Sequence, residues 1–260
     1  MKSKFYNSIT TFVKHNYIGD NALGTVKITD IDNDYVDMNA TFSKTSYSWD
    51  FDKQQVEITK IKKAKCLDFS GTITDKDGNV GQFTWHTECD ILDGKGFIFG
   101  KRAFGRMDGK GLPRIIKNLK ATDLSKCLHD NRTTEEIYFD TNWFKNYNGT
   151  INAYGLVTGD GGVSLTKLIG LDCKHLYTNS NLFNQGGAPY LVELQLFNVK
   201  ENLNLSKSTL LPREQLVRLF NEGLVTFASG THTLTLGSTL LAKLTDEDKK
   251  IATDKGWTLA

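Results

Sequence analysis

The chain has 260 residues, with 32 Lys and Arg against 30 Asp and Glu, which gives a formal net charge of +2 at pH 7. This near balance argues against binding to nucleic acid through bulk charge. Hydrophobic residues make up 39% of the chain, enough for sizeable cores, yet no apolar run approaches the length that spans a bilayer. The composition therefore predicts one large or two modest folded domains, with no insertion into a membrane.

Glycine, proline and cysteine usage narrows the class further. The chain has 23 Gly and 15 Phe but only 3 Pro, which favours β-structure with many tight turns. The N-terminus lacks the apolar core and cleavage site of a signal peptide. We therefore expect the four widely spaced cysteines to be buried thiols in a chain that stays reduced until it is released. These are Cys66, Cys89, Cys127 and Cys173.

Residues 1–20 precede the first clear strand signal. Phe5, Ile9, Phe12 and Val13 keep helical spacing, although Thr and Asn are frequent among them. The segment is predicted to be an amphipathic helix or an extended arm, and Phe5 and Phe12 are candidates for docking to a larger assembly. The alternative is that it forms the first core element of the following domain.

Short strands separated by turns are predicted from residue 22 to residue 105. Asp-Gly within residues 75–79 tolerates positive φ and favours a hairpin turn. Six or seven strands at such spacing indicate an antiparallel β-sandwich or a small barrel. Residues 1–105 are therefore predicted to be a β-rich docking domain.

A basic stretch follows this domain. Its cations are Lys101, Arg102, Arg106, Lys110, Arg114, Lys117 and Lys120. We interpret residues 106–120 as a flexible basic connector that is either solvated or bound to an acidic partner surface, and Arg102, Arg106 and Arg114 as further docking candidates. Phe104 is the only aromatic residue within the stretch, so stacking on bases is poorly supported.

Residues 121–162 are less regular. They predict a short helix near residues 123–129, a strand at residues 137–139 and an aromatic cluster of Trp143, Phe144 and Tyr147. The stretch at residues 149–154 is interpreted as an atypical first repeat, or as a cap, of the region that follows.

Apolar residues repeat from about residue 163 to the end. Leu168, Leu171, Cys173 and Leu176 recur as Leu191, Leu194, Leu196 and Val199, and Leu234 and Leu236 recur as Trp257 and Leu259, always at an offset of 23 in the numbering. A period of this size indicates stacked repeats, each of which leaves an apolar face for its neighbour. The pattern Leu-x-x-Leu-x-Leu resembles a leucine-rich repeat, so residues 121–260 are predicted to be a short, irregular α/β module of that kind.

Two helices are predicted between the repeating strands. Residues 212–223 begin with Pro and end with Gly, and their Leu and Phe residues keep helical spacing. Residues 245–256 begin with Thr245 as N-cap and place three acids in the first turn. Residues 256–259 then read as a last strand. The resemblance also has departures, since Leu176 and Val199 occupy the position where leucine-rich repeats place an Asn or a Cys.

No motif indicates an enzyme, a metal or a cofactor. The Asp runs at residues 30–37 and 75–77 lack the Gly and Glu of a calcium loop and lie between strand signals, so turns are favoured. His86 and Cys89 would point to opposite faces of a strand, which argues against joint metal ligation. There is no Gly-x-Ser-x-Gly and no phosphate-binding loop. Paired carboxylates for glycan cleavage stay an open alternative, since no pair is selected by the sequence.

The remaining candidate is a binding face on the repeats. The residues that flank the buried strand positions are Asp172, Lys174, Glu193, Gln195, Phe197, Thr233, Thr235 and Thr258. By the offset of 23, Thr235 is expected beside Thr258. Short polar side chains with one aromatic suit protein or sugar binding, and a solvated sheet face is the alternative.

The ending, residues 240–259, resembles the closing repeat of leucine-rich-repeat modules in virion proteins of tailed bacteriophages, and also BspA-like surface proteins of gut Bacteroidetes. The resemblance implies a tail-associated structural protein, made in the host cytoplasm and located in the virion. It would dock through its N-terminal domain onto other virion proteins, oligomerise, and display the repeat face for host attachment through a protein or glycan. The alternatives are a tail assembly protein without a receptor role, a secreted adhesin, or a glycan-degrading enzyme.

Overall fold

The computed structural model describes six strands between residues 13 and 85, and residues 89–94, 99, 104, 112–129, 131–158, 164–177, 181–184, 187–228 and 232–260. The strands are β1 (Val13–His15), β2 (Thr25–Ile28), β3 (Tyr35–Asp37), β4 (Gln55–Ile58), β5 (Ala64–Asp68), β6 (Phe83–Trp85), β7 (Cys89–Asp93), β8 (Ile115–Leu119), β9 (Leu128–His129), β10 (Glu136–Phe139), β11 (Val157–Thr158), β12 (Lys167–Asp172), β13 (Glu193–Phe197), β14 (Leu203–Asn204), β15 (His232–Thr235) and β16 (Trp257–Leu259). The helices are α1 (Thr141–Asn146), α2 (Arg213–Arg218), a π-helix (Leu219–Gly223) that continues α2, α3 (Gly237–Leu241) and α4 (Asp246–Asp254).

Seven of the described strands, all parallel, form the main sheet. Their order is β3, β5, β7, β8, β10, β12 and β13, which is also their order in the sequence. Ile115 of β8 pairs with Glu136 of β10, and Glu136 pairs in turn with Lys167 of β12. Each coil of the chain therefore adds one strand beside the last, as in a solenoid protein.

The other described strands form three smaller sheets. One has the order β1, β2, β4, β6, and only its β1–β2 pair is antiparallel. The others are β9 with β11, and β14 with β15 and β16, all parallel. Successive strands from β2 to β7 thus alternate between the two larger sheets instead of forming hairpins.

The predicted α+β class, a β-rich N-terminal part followed by an α/β repeat module, is confirmed only in its mixture of helices and strands: the structure is mixed α/β, with parallel sheets and few helices. Antiparallel pairing within residues 1–105 is wrong for the described strands other than β1 and β2, and no sheet of described strands closes into a barrel. Period-two patterning reports which face of a strand is buried, and it is the same for either direction of pairing. For that reason the pattern could not distinguish a hairpin from a coil.

The predicted connector contains strand β8, which lies between β7 and β10 in the main sheet. Ile116 and Leu119 are fully buried, while Lys117 between them is exposed. The interpretation of residues 106–120 as a flexible linker is therefore wrong for residues 115–119. The apolar residues Ile115, Ile116 and Leu119 do not alternate with polar ones, since Asn118 has a left-handed φ of 52°, and for that reason the period-two signal of a strand is absent here.

After residue 120, the predictions of single strands and helices are confirmed except for one helix. The strand at residues 137–139 is confirmed as part of β10, and the helices predicted at 212–223 and 245–256 are confirmed. The helix expected near residues 123–129 is wrong, because this stretch forms turns and β9. Asp123 Oδ1 accepts a hydrogen bond from the backbone N–H of Ser125 at 2.7 Å, a local turn that competes with helix formation.

A buried column of aliphatic side chains runs through five strands. Its members are Leu92, Ile116, Ile137, Leu168 and Leu194, which are successive register partners and at most 1% exposed. Complete burial of one such side chain contributes about 1.5–3 kcal/mol. This column is the core that joins one coil to the next.

The repeat register differs from the predicted offset of 23. Leu168 pairs with Leu194 instead of Leu191, and Leu171 pairs with Leu196 instead of Leu194. The break between the two pairs falls at Gly170, whose φ of +86° is unfavourable for residues with a side chain. A Cβ there would also lie 2.8 Å from Thr141 Oγ1.

The helical segment after β13 covers the edge of the main sheet. Gln215 Oε1 accepts a hydrogen bond from the backbone N–H of Leu194 at 3.2 Å. A Cβ on Gly223 would lie 2.8 Å from the carbonyl oxygen of Leu196, so the end of the π-helix fits closely against β13. Covering an edge strand in this way prevents it from pairing with other chains. This helical segment also lies between Leu196 and Leu236, which are 40 positions apart (236 − 196) and therefore depart from the period of 23.

Candidate functional site: the outer face of the main sheet

The outer face of the main sheet consists of the more exposed side chains that alternate with the buried column. They are Ile91, Asp93, Ile115, Lys117, Glu136, Tyr138, Lys167, Ile169, Glu193, Gln195 and Phe197. Charged, aromatic and branched aliphatic residues are mixed on this surface. Such a composition can serve recognition, since it offers both hydrogen-bonding groups and apolar contact area.

The strand register arranges these side chains in rows across the strands. Glu136, Lys167 and Glu193 are successive partners on β10, β12 and β13. Tyr138 and Ile169 pair in the next outward row, followed by Gln195. Neighbouring strands lie about 4.8 Å apart, so each row is continuous at the scale of a side chain.

Glu136 is at the centre of a polar group on the outer face. Its Oε1 lies 3.2 Å from Lys167 Nζ, and its Oε2 accepts a hydrogen bond of 2.8 Å from the hydroxyl of Tyr138. Partial burial raises the pKa of Glu136, but the Tyr138 hydroxyl and the Lys167 ammonium outweigh this effect and lower the pKa overall. The hydrogen bond from Lys167 to Glu136 in turn raises the pKa of Lys167, with a smaller contribution from Glu193.

A second group of charges lies where the chain enters the strands. Arg114 Nε is 3.5 Å from Asp90 Oδ1, and Arg114 Nη1 is 3.5 Å from Glu135 Oε2. Arg114 also helps to lower the pKa of Glu136, so the two groups are electrostatically continuous. We call these charged residues of both groups the charged belt. They are Asp90, Arg114, Glu135, Glu136, Lys167 and Glu193.

Among the residues predicted for binding, Glu193, Gln195 and Phe197 lie together on the outer face of β13. Asp172 does not join them, because its side chain is buried. Its Oδ1 accepts hydrogen bonds from the backbone N–H of Lys174 at 2.9 Å and from Asn198 Nδ2 at 2.8 Å. Asp172 thus stabilises a turn and a neighbouring coil.

Lys174 itself is exposed, and its carbonyl oxygen accepts a hydrogen bond of 3.0 Å from Lys200 Nζ. Asn118 Nδ2 and Asp93 Oδ1, also 2.8 Å apart, repeat the Asn–Asp bond seen at Asn198. Both asparagines have left-handed φ angles, of 52° and 54°. These amide–carboxylate bonds connect neighbouring coils at a position different from the one where leucine-rich repeats place their Asn.

The three predicted threonines lie in a different sheet. Thr233 pairs with Thr258 between β15 and β16, whereas Thr235 pairs with Asn204 of β14. The predicted pairing of Thr235 with Thr258 is therefore wrong, because the partner of Thr258 lies two positions earlier, at Thr233. Leu171 likewise pairs two positions away from its predicted partner, Leu194. The threonines belong to the three-stranded sheet and do not extend the rows of the main sheet.

Of the predicted docking residues, Arg114 is described and belongs to the charged belt. Phe5, Phe12, Arg102 and Arg106 lie outside the described residues, as does His86 of the weighed metal pair. In the described part of the chain, no group of three or more His, Cys, Asp or Glu side chains is placed to hold a metal ion.

Two thiols are described, and both are buried and free. Burial raises the pKa of Cys127 to about 12 and raises that of Cys173 as well. A protonated thiol is a poor nucleophile, so these side chains act as small apolar residues. Cys173 also borders a pocket with Leu176 and Val199, whose space of about 10 Å³ is room for a single water molecule at most.

The charged belt could not be predicted from the sequence, because the sequence does not show which residues of neighbouring coils pair with each other. Glu135 and Glu136 adjoin the predicted strand at residues 137–139, but their partners lie in separate coils, one earlier and one later in the chain. A signal was present, since charged residues directly precede or begin each of the apolar segments of β8, β10, β12 and β13.

Comparison with protein-family models, with curated proteins and with solved structures gives no match to this chain. Among the described helices, none is long and apolar enough to cross a membrane. What the protein does must therefore be argued from its own surface.

Proposed function

We propose that this protein is a structural component of a bacteriophage particle, associated with the tail. Its N-terminal part docks to other virion proteins, and the outer face of the main sheet binds a protein or a glycan. The resemblance of residues 240–259 to closing repeats of phage virion proteins supports the setting. The parallel coils support the mode of binding, because solenoid proteins present extended surfaces to their partners.

The observation that carries the proposal is the contrast between the covered edge and the open face of the main sheet. Gln215 and Gly223 fit closely against the edge of β13. The outer face nevertheless presents Tyr138, Lys167 and Phe197 at partial exposure. An array that covers its edge while leaving a mixed polar and aromatic face open is suited to recognition by that face.

The setting is tested by locating the protein. Particles purified from a lysate of the bacterium that carries the gene are expected to contain the chain by mass spectrometry. An antibody against the chain should label the tail in negative-stain electron micrographs. The mass of the purified protein, measured by light scattering, should exceed that of one chain, since we propose a homo-oligomer. Detection of the chain in the lysate but not in the particles would contradict the proposal.

Binding by the outer face is tested with a double variant, Tyr138→Ala with Phe197→Ala. Attachment of variant particles to host cells should fall at least severalfold, because aromatic side chains contribute strongly to interfaces. The matched control is Lys250→Ala on α4, whose side chain is 69% exposed. Unchanged attachment of the double variant, with normal incorporation into particles, would remove the receptor role and leave a role in tail assembly.

A further inference from the structure

A single Asn–Gly dipeptide occurs in the chain, at Asn148 and Gly149, just beyond helix α1. The chemistry of such a dipeptide depends on two groups, the side-chain amide of the asparagine and the backbone N–H of the residue that follows. When that backbone nitrogen loses its proton, it attacks the side-chain Cγ and closes a five-membered succinimide ring. Glycine favours the reaction, because it has no Cβ to obstruct the attack.

The structure leaves both groups of this dipeptide free to react. Asn148 is exposed to solvent. Within the part of the chain that the structure describes, neither the Asn148 amide nor the Gly149 N–H makes a hydrogen bond. A bonded N–H would have to give up its acceptor before the nitrogen could attack, so the fold offers this dipeptide little protection.

The nearest asparagine in the sequence is protected. Asn146 Nδ2 donates to the carbonyl oxygen and to Oδ1 of Asn142, at 2.9 and 3.1 Å. The backbone N–H that follows it, at Tyr147, donates to the carbonyl oxygen of Trp143 at 2.8 Å. Both reacting groups at Asn146 are therefore held, and this residue is an internal control for Asn148.

An Asp–Gly dipeptide in the main sheet is protected in the same way. Such a dipeptide forms the same ring by losing water instead of ammonia. At Asp93 and Gly94, however, the Gly94 N–H donates to the carbonyl oxygen of Lys117 at 2.8 Å, and Asp93 Oδ1 accepts a bond of 2.8 Å from Asn118 Nδ2. Unfolding would remove both bonds, so Asp93 is a control for the effect of the fold.

We infer that Asn148 is a site of spontaneous deamidation in the folded protein. The Gly149 nitrogen forms a bond to Asn148 Cγ, the bond from Cγ to the side-chain nitrogen breaks, and ammonia leaves with the proton taken from Gly149. Water then opens the ring at one of its two carbonyl groups, which gives aspartate or isoaspartate. Because the attack requires a deprotonated nitrogen, the reaction is faster in alkaline solution. The inference does not depend on the proposed function.

Either product changes the segment that leads into the next coil. Aspartate places a negative charge beyond the C-terminal end of α1, where the helix carbonyls are already partly negative. Isoaspartate lengthens the main chain by one carbon atom. Gly149 packs so closely on Tyr147 that a Cβ would collide with its ring, and Ile151, two residues further on, is fully buried. The modified chain should therefore melt at a lower temperature than the unmodified chain.

The test is to incubate the purified full chain in warm, mildly alkaline buffer and to map its tryptic peptides by mass spectrometry. Asn148 should gain the mass of a hydroxyl group in place of an amino group, and part of the product should be isoaspartate, detected with a protein isoaspartate methyltransferase. Asn146, in the same peptide, should stay unmodified, and Asp93 should yield no isoaspartate. In concentrated urea the rate at Asn148 should change less than severalfold, whereas Asp93 should now react.

A pair of variants separates the chemistry from the stability of the loop. Asn148→Gln should abolish the modification, because a glutamine side chain would have to close a six-membered ring, which forms far more slowly. After incubation this variant should melt at a higher temperature than the original chain. The matched control is Asn146→Gln, two residues away on the same exposed segment, which should leave the rate at Asn148 unchanged.

Three results would overturn the inference. Asn148 could stay unmodified in the folded chain while it reacts in urea, which would show that the fold protects it. It could stay unmodified in both states. Asn146 could react as fast as Asn148, in which case the hydrogen bonds do not decide the site. None of these results bears on attachment to host cells, by which the proposed function is tested separately.

Discussion

The interior coils and the C-terminal segment of this protein share one apolar core, but they differ in the contacts that supplement it. Between β7 and β13 the buried column passes from strand to strand, and each coil covers the apolar face of the previous one. After β13, long polar side chains bind backbone atoms of neighbouring segments. Lys255 Nζ reaches the carbonyl oxygens of Asn221 and Leu224, at 2.7 and 3.0 Å. The C-terminal segment thus adds these polar contacts to an apolar core that it shares with the interior coils, in which Leu234 and Trp257 are buried.

The largest expected effect comes from opening the buried column. Leu168→Ala should lower the free energy of unfolding by about 2–5 kcal/mol, because it removes a fully buried side chain and leaves a cavity. Urea denaturation measures the loss. The matched control is Ile169→Ala, which truncates the adjacent, partly exposed residue on the outer face. Equal losses for the two variants would show that the column is not the principal core.

A smaller effect is expected at the register break. Gly170→Ala should cost about 1–3 kcal/mol, because alanine is strained at a φ of +86° and its Cβ would approach Thr141 Oγ1. Combining it with Thr141→Ser, which keeps the hydroxyl, should not restore stability, while Thr141→Ala should recover part of it. Thermal unfolding of the three variants separates the steric contribution from the backbone contribution.

At the C-terminal end, Lys255→Met should cost about 1 kcal/mol, since it removes two hydrogen bonds to carbonyls at the end of the π-helix. These carbonyls are at the negative end of a helix, where a cation is favoured. Lys250→Met is the control, because that side chain is 69% exposed and pairs with Asp254 on its own helix. A loss no greater than the control's would show that Lys255 does not hold the segments together.

The ion pair of Arg213 with Asp248 makes the stability of the same end depend on pH. Two hydrogen bonds of 2.7 Å from Arg213, together with the backbone N–H of Thr245, lower the pKa of Asp248 below its ordinary value of 3.8. A carboxyl group with a lowered folded pKa stabilises the fold fully above its unfolded pKa, and this stabilisation is lost as pH falls through the folded value.

Asp248→Asn should therefore be less stable than the original chain at neutral pH, and the difference should shrink below about pH 4. Thermal melts across this range measure the change. Asp246→Asn is the control, because that carboxylate is 96% exposed on the same helix. A difference that stays constant down to the lowest pH would mean that ionisation of Asp248 does not contribute.

Much of the burial in the C-terminal region could be predicted, whereas its register could not. Leu171 and Leu194 are both buried, as the repeat predicts, although they are not partners. Side chains in a strand alternate with a period of two, so an error of two positions leaves every face unchanged. Leu168 pairs three positions away from its predicted partner, and Leu171 pairs two positions away. The register therefore changes by one position at Gly170, which lies against Thr141.

The candidate site was predicted only where one strand suffices to define it. Gln195 and Phe197 follow from alternation along β13. Asp172 was assigned to the surface by the same rule, but it turns inward because it can bond to Lys174 and Asn198. The charged belt combines residues from several coils, so recognising it requires the pairing of coils, which no local pattern contains.

The order of strands in the main sheet also bears on how the chain folds during its synthesis. Each strand finds its partner in the coil made just before it, so a nascent chain can add strands one after another as they leave the ribosome. The edge of β13 stays unpaired after Phe197 has emerged, until the π-helix ends at Gly223. During that interval the unpaired backbone N–H and C=O groups of β13 can pair with a strand of another chain. Slow translation between Phe197 and Gly223 would therefore prolong the risk of aggregation.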